Sequence, residues 1–225
     1  MIFPFTLSKD SDKLIDSYPD STLLKDFFIK ANESERYGII RLWITEGIPF
    51  AFKNNPLLYE EIRAFIARGV NVHTKEVTLV GSGRIGYSLK KKVWGKEFTP
   101  SSDLDFTIIS NDLYKNLVND YQKWVSDFHS RKIIPFSAQQ TKTWIDAIRT
   151  VDENIPKGFI NTKNLFSNVN YSTVKKCNYT MWKLQERLAH TSNAPKISDV
   201  SIRVYSNWRA CIKQLQTNFK VALIW

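Results

Sequence analysis

Apolar residues recur every three to four positions along several segments of the chain, which is the spacing of one face of an α-helix. The clearest case is residues 57–68, which Asn55-Pro56 opens and Gly69 ends, because proline suits the first turn of a helix. The spacing predicts helices at residues 21–32, 36–47, 57–68, 112–130, 171–190 and 200–219.

Shorter apolar runs predict strands at residues 77–80 and 106–109, and two less regular runs predict further short strands at 133–136 and 158–160. Strands interspersed with helices predict an α/β (α+β) fold, with a sheet flanked by helices. We divide the chain into a core with N-terminal helices, residues 1–170, and a C-terminal helical region, residues 171–225, that packs on the core.

Two acidic residues stand at the start of the second strand. Asp103 and Asp105 flank Leu104, and because side chains alternate along a strand, both carboxylates point to the same face. Gly81-Ser82 ends the strand before them. Either feature alone is common, since Asp-x-Asp occurs on surfaces and Gly-Ser in ordinary turns. The glycines of GSGRIG do not have the spacing of a dinucleotide-binding fingerprint.

Gly-Ser after one strand, followed by hydrophobic-Asp-hydrophobic-Asp-hydrophobic in the next, resembles the signature of the DNA polymerase β-like nucleotidyltransferase superfamily. The likeness to small stand-alone prokaryotic members extends over most of the chain after residue 40, but only this motif is specific. It implies transfer of a nucleoside monophosphate from an NTP or dNTP to a hydroxyl, with Mg²⁺ or Mn²⁺ as cofactor. Gly81 and Ser82 would then cradle the triphosphate, while Asp103 and Asp105 would be catalytic metal ligands.

The resemblance also implies a third carboxylate on a neighbouring strand. The run that ends at Asn161 is the place to expect it, but asparagine ligates without charge. Asp146, Asp152 and Glu153 are the other candidates, and Asp146 has apolar neighbours like a strand carboxylate. We predict Asn161 as a metal ligand and Asp146 as a catalytic acid; if no third acid converges on the pair, catalysis is altered or absent.

Further nucleotide contacts are predicted from the same likeness. Arg84 and Ser88 follow the Gly-Ser turn, and Arg84 either contacts phosphate or points into solvent. Tyr179 and Lys183 are four residues apart and so share a helix face, which would pack beside the nucleotide. Trp182, next to that face, is the better candidate for core packing.

The net charge of +10, from 32 basic and 22 acidic residues, favours a polyanionic partner. Four lysines with interleaved aromatic residues between positions 90 and 98 either grip phosphates or form a solvated loop. The predicted partners are a nucleoside triphosphate and an oligonucleotide or RNA acceptor. Because some superfamily members make antiphage defence signals, an effector protein encoded in the same operon is a further expected partner.

Two other functions stay open. One is a catalytically degenerate nucleotidyltransferase fold that binds nucleic acid or a partner protein, which Asn161 motivates. The other is a toxin that modifies RNA or protein.

The composition argues against a disulfide-bonded, a zinc-binding and a membrane-spanning protein. Cys177 and Cys211 are far apart and predict free thiols in a reducing compartment, and the three histidines form no zinc pattern. With no long apolar run and no signal-peptide pattern, we expect a cytoplasmic protein without a membrane partner.

Overall fold

The computed structural model describes residues 14–223 of the chain, which form a mixed α/β fold. Its strands are β1 (Val77–Val80), β2 (Asp103–Ile109), β3 (Phe159–Asn161) and β4 (Asp199–Tyr205). Its α-helices are α1 (Ser21–Lys30), α2 (Glu33–Ile39), α3 (Pro56–Val70), α4 (Ser82–Ile85), α5 (Asn111–His129), α6 (Ala138–Asn154), α7 (Ser172–Ala189) and α8 (Trp208–Leu223). A π-helical segment, Ile40–Thr45, continues α2.

The four strands form one mixed sheet in the order β1-β2-β4-β3. β1 runs antiparallel to β2, β2 runs parallel to β4, and β3 runs antiparallel to β4. The register places Asp105 between Val80 of β1 and Ser201 of β4. Because paired residues share a sheet face, the side chains of these three residues lie on the same side.

The sheet has two differently covered faces. On one face, Leu104, Phe106 and Ile202 belong to a large core that includes apolar residues of α3, α5 and α7. On the other, Phe159 and Tyr205 pack in a second core with residues of α1, α2 and α8. The second cover is incomplete near the start of β2, and the candidate site lies there.

Local sequence explains where the helices begin. Asn55 caps α3 by accepting a hydrogen bond from the Leu58 amide, Pro56 occupies the first turn, and Asn71 ends the helix in a left-handed conformation. Asp20 caps α1 through its carboxylate, and the hydrogen bonds from the Leu23 and Thr22 amides lower the pKa of Asp20 below its ordinary value.

Most predicted helices are confirmed within a few residues, as are the strands at 77–80 and 158–160 and the common face of Asp103 and Asp105. The helix predicted at 200–219 is wrong, because residues 199–205 form β4 and only the remainder is helical. Val200, Ile202 and Val204 are buried in alternation with partly exposed Ser201 and Arg203, which is a strand period.

Two further expectations are corrected. The strand predicted at 133–136 is absent, since Ile134 and Phe136 are exposed in the loop before α6. The region 171–225 is not only helical, because it supplies β4, which lies between β2 and β3 in the sheet. A cut at residue 170 would therefore remove an interior strand.

In residues 14–223 we find no helix with both the length and the apolar character needed to span a membrane. Both cysteines are buried and unpaired, and burial raises the pKa of each thiol to about 12. The predicted free thiols are therefore confirmed, and neither has the exposed, easily ionised character of a reactive cysteine.

Candidate functional site

A cavity of about 520 Å³ opens on the sheet face that carries Asp103 and Asp105. We call this cavity the cleft. Its walls come from the Gly81-Ser82 turn, the loop of residues 88–97, the start of β2, the middle of β4 and the last turns of α8. The predicted site residues that line it are Gly81, Ser82, Ser88, Asp103, Asp105 and Asn161.

Asp103 and Asp105 are held by hydroxyl groups. The Ser198 hydroxyl donates to Oδ1 of Asp103 at 2.6 Å, and the Ser201 hydroxyl donates to Oδ1 of Asp105 at 2.7 Å. Short hydrogen bonds to a carboxylate are among the stronger ones in proteins, so they help to orient both side chains. Each carboxylate has about four lone-pair sites, and both therefore keep the capacity to bind a further cation or donor.

Gly81 brings the backbone against the acidic pair. Its φ of +71° and ψ of −151° belong to a region that is accessible almost only to glycine. A Cβ at this position would lie 3.3 Å from Oδ2 of Asp105. The missing side chain thus lets the backbone of the turn lie close to the carboxylate of Asp105.

The loop of residues 88–97 supplies positive charge. The amide of Ser88 donates to the Lys96 carbonyl at 2.7 Å, and the amide of Gly95 donates to the Ser88 carbonyl at 2.9 Å, which closes the loop. Lys90, Lys91 and Lys96 line the cleft and are exposed. Trp94 packs against Phe219 with ring centroids 5.6 Å apart, so its ring is used in packing.

Arg203 is a cleft residue that the helical prediction for 200–219 placed on the wrong type of element. It pairs in register with Thr107 of β2 and Asn161 of β3, and its guanidinium lies 5.3 Å from the centroid of Phe159. Its Nε is buried without a hydrogen-bond partner among residues 14–223. The period-two pattern of 199–205 was the signal that would have put Arg203 on this face.

Tyr205 lines the cleft, as Arg203 does. Burial raises the pKa of the Tyr205 hydroxyl to about 12, and the positive charge of Arg203 offsets part of that rise. The phenol is therefore neutral at physiological pH.

Four predicted site residues lie outside the cleft, and three of them are Asp146, Tyr179 and Lys183. Asp146 is not on a strand: it is exposed on α6 and forms an ion pair with Arg149 at 3.3 Å. Tyr179 and Lys183 lie on α7, whose buried side packs on the opposite sheet face from the cleft. They fall outside the cleft because β4, which the sequence prediction missed, is the strand that α7 covers.

Of the remaining candidates, Asp152 and Asn161 have local partners. Asp152 accepts a hydrogen bond from the Tyr121 hydroxyl at 2.6 Å, and Glu153 is exposed on α6. Asn161 lines the cleft, but its Oδ1 accepts from the Lys163 amide at 3.1 Å. Its predicted role as a metal ligand therefore competes with this local bond.

Arg84 does not reach the cleft. Its side chain is only 3% exposed and donates to the carbonyls of Ile48, at 3.1 Å, and Glu46. Burial lowers the pKa of the guanidinium below its ordinary value. The sequence predicted that Arg84 contacts phosphate or solvent, and the structure shows neither. Its hydrogen bonds connect the turn at residues 46–48 to α4.

We therefore expect Arg84→Ala to lower the free energy of unfolding by about 1–3 kcal/mol, because the buried Arg84 side chain and its hydrogen bonds to the carbonyls of Ile48 and Glu46 are lost. Urea unfolding measures this loss, and Arg209→Ala, at an exposed position on α8, is the control. Ligand affinity of the folded variant should be unchanged. A stable Arg84→Ala protein that no longer binds triphosphate would contradict the structural role.

The donor set fits one hard cation. Residues 14–223 contain no group of three or more Asp, Glu, His or Cys side chains placed to hold a metal ion. Asp199 is in register with Asp103 but forms an ion pair with Lys163. Glu97 also lines the cleft, but it does not join Asp103 and Asp105 in a group of three acids. One or two carboxylates completed by water and phosphate oxygens are a common magnesium site, and the acidic pair meets that need.

Comparisons of the chain with protein-family models, curated proteins and solved structures found no match. The molecule is thus characterised by its mixed α/β fold and by a cleft in which two carboxylates, a glycine turn and basic side chains meet.

Proposed function

We propose that the protein is a nucleotidyltransferase of the polymerase β-like type, which transfers a nucleoside monophosphate from an NTP or dNTP to a hydroxyl acceptor with Mg²⁺ or Mn²⁺. The observation that carries the proposal is the position of Asp103 and Asp105 on one strand face, directly beside the positive-φ backbone of Gly81. Carboxylates next to an unobstructed backbone turn suit a cation together with the phosphates it binds.

Several cleft residues have a role in this proposal. Asp103 and Asp105 would hold the cation, oriented by Ser198 and Ser201. When bound, the cation would offset the charge of the triphosphate and of the departing pyrophosphate. Ser82 would donate a hydrogen bond to a phosphate oxygen, while exposed lysines of the 88–97 loop add positive charge at the cleft mouth.

The reaction is a displacement at phosphorus. The acceptor oxygen forms a bond to the α-phosphorus, the bond from that phosphorus to the bridging oxygen breaks, and pyrophosphate leaves. The proton of the acceptor hydroxyl passes to a carboxylate oxygen of Asp103 or Asp105, the anionic side chains that line the cleft beside the turn. The net charge of +10 favours an oligonucleotide or RNA as acceptor, and a signal made this way would act on a separate effector protein.

A second candidate is a degenerate nucleotidyltransferase fold that binds nucleotide without turnover. The observation that favours it is the neighbouring strand β4, which presents Ser201 and Arg203 on the cleft face where the resemblance implied a third acid. A guanidinium there attracts phosphate and disfavours a second cation.

Two measurements separate these candidates. The first incubates the protein with each of the four α-labelled NTPs and dNTPs, Mn²⁺, and either no acceptor or a short RNA, and resolves labelled products. The second is calorimetry with an NTP analogue whose α,β-bridging oxygen is replaced by methylene. Transfer that disappears in Asp103→Asn/Asp105→Asn supports the enzyme. Cation-dependent binding without transfer supports the binder, and neither binding nor transfer refutes both.

A further inference from the structure

The exposed side of α7 carries two large aromatic side chains that touch each other. Tyr179 is 52% exposed and Trp182 is 56% exposed, and their rings are nearly parallel, at 24°, with centroids 5.6 Å apart. Isolated exposed apolar residues are normal in soluble proteins, but two adjoining aromatic residues that are each about half exposed leave aromatic surface open to water.

Positive charge surrounds this aromatic pair. Lys183 lies over the Tyr179 ring, with its Nζ 4.6 Å from the centroid. The exposed charged side chains of α7 are four bases, Lys175, Lys176, Lys183 and Arg187, and one acid, Glu186. Lys175, Tyr179 and Lys183 follow one another at intervals of four residues, so a cation stands on each side of the ring along one line of the helix.

This surface is separate from the cleft. The buried side of α7, including Val174, Cys177 and Leu184, packs in the core on the sheet face opposite to Asp103 and Asp105. The aromatic pair points away from that core. A ligand on α7 is therefore divided from the cleft by the thickness of the sheet and the helix, and cannot be the nucleotide held there.

We infer that the exposed face of α7, defined by Lys175, Tyr179, Trp182 and Lys183, is a binding surface for single-stranded nucleic acid. An unpaired base offers an apolar face that stacks on an aromatic ring, and the phosphates on either side of it find lysines. Net positive charge on the helix complements a phosphate backbone. A base-paired duplex hides its base faces, so a single strand is the partner that uses both parts of the surface.

The inference is independent of the proposed function, because it does not involve the cleft. It is tested with the full chain in the Asp103→Asn/Asp105→Asn background, which cannot carry out the proposed transfer. The probe is a fluorescein-labelled oligouridylate of about 12 nucleotides, within the length that single-strand binding surfaces cover. A duplex RNA of equal length is the comparison, and affinity is measured by fluorescence anisotropy at several salt concentrations.

Tyr179→Ala/Trp182→Ala removes the stacking surface, and we expect at least about tenfold weaker binding of the single strand, since each base–aromatic stack is worth about 1–3 kcal/mol. Lys175→Gln/Lys183→Gln should lower the log–log salt slope by about 1.4, or 0.7 for each lost phosphate contact. All four residues are exposed, so the variants should keep the melting temperature of the parent.

Matched controls carry the same chemical changes elsewhere. Ile134→Ala/Phe136→Ala removes exposed apolar residues from the loop before α6, and Lys115→Gln/Lys142→Gln removes exposed lysines from α5 and α6. Both should bind the oligouridylate like the parent. Photocrosslinking with 4-thiouridine in the same strand should label the tryptic peptide that contains Tyr179 and Trp182.

Each of the following results would overturn the inference: parent-like affinity of Tyr179→Ala/Trp182→Ala, equal affinity for duplex and single strand, or crosslinks confined to the 88–97 loop. The last of these would place nucleic acid in the cleft and leave α7 without a role in binding it. Parent-like affinity of Lys175→Gln/Lys183→Gln would show that these lysines make no phosphate contacts, and it would overturn the inference as well.

Discussion

Replacement of Asp105 by asparagine is expected to reduce Mn²⁺-dependent nucleotide transfer at least about tenfold. Loss of residues that merely orient metal ligands typically costs 10–100-fold, so loss of a ligand itself costs no less. Asparagine has nearly the same shape, and its Oδ1 still accepts the hydrogen bond that the Ser201 hydroxyl gives to Asp105. The change therefore removes one negative charge and leaves the packing intact.

The melting temperature, measured without divalent cation and with Mn²⁺, tests the acidic pair without depending on turnover. Asp103 and Asp105 share one face of β2, and two like charges repel each other. Without divalent cation, Asp105→Asn should therefore melt at the same temperature as the parent or above it. Mn²⁺ should raise the melting temperature of the parent, because a ligand that binds only the folded state stabilises it, and should have little effect on the variant.

Asp146→Asn is the matched control, because it removes the same charge from an exposed position on α6. It should keep both transfer and the Mn²⁺-induced shift. A folded Asp105→Asn protein with parental transfer and a parental Mn²⁺ shift would remove the acidic pair from the proposed mechanism.

The part of the site that was predictable from sequence depends on local rules. Alternation along a strand is a property of backbone geometry, so the common face of Asp103 and Asp105 followed from their spacing alone. The Gly81 turn was predictable for the same reason, since an apolar strand that stops at glycine indicates a backbone conformation that other residues avoid. These two local rules explain why the acidic pair and the turn beside it could be predicted from the sequence.

The residues that were misplaced depend on which elements pack together. Nothing local indicates that β4, from the C-terminal region, lies between β2 and β3. Because 200–219 was predicted as one helix, Arg203 had no place on the cleft face. Tyr179 and Lys183 were assigned to the nucleotide from the family resemblance, but α7 covers the opposite side of the sheet. The wrong period thus misplaced Arg203, and the resemblance misplaced Tyr179 and Lys183.

Arg84 shows a different limit. An arginine that follows a glycine-rich turn is chemically suited to phosphate, and the sequence offers no sign of competing acceptors. The acceptors are backbone carbonyls of Glu46 and Ile48, more than thirty residues away along the chain. Only the tertiary fold brings them to the guanidinium, so no residue pattern could identify them.

The second large effect is expected at Gly81. Gly81→Ala places a Cβ in a backbone conformation with φ of +71° and about 3.3 Å from Oδ2 of Asp105. Strain of this kind costs about 1–3 kcal/mol, so the free energy of unfolding should fall by that amount. The methyl group also occupies the space that a phosphate would need beside the carboxylate. Affinity for a nucleoside triphosphate with Mn²⁺ should therefore fall more than about tenfold.

Substitutions at two other glycines distinguish the effect of backbone strain from the effect of a lost ligand contact. Gly158 also has a positive φ, of +80°, and a Cβ there would meet Ala210 and Ser206 at 2.9 Å, but Gly158 does not line the cleft. Gly158→Ala should lose stability and keep triphosphate affinity. Gly38 lies in α2 with no atom within 4 Å of an added Cβ, so Gly38→Ala should be neutral or slightly stabilising.

Urea unfolding gives the three stabilities, and calorimetry at a temperature where all variants are folded gives the three affinities. The expected order is distinctive: Gly81→Ala and Gly158→Ala both lose stability, but only Gly81→Ala also loses triphosphate. If the two variants bind triphosphate equally well, the Gly81 turn is a structural corner of the sheet, and the phosphates must be held by the acidic pair and the lysines of the 88–97 loop.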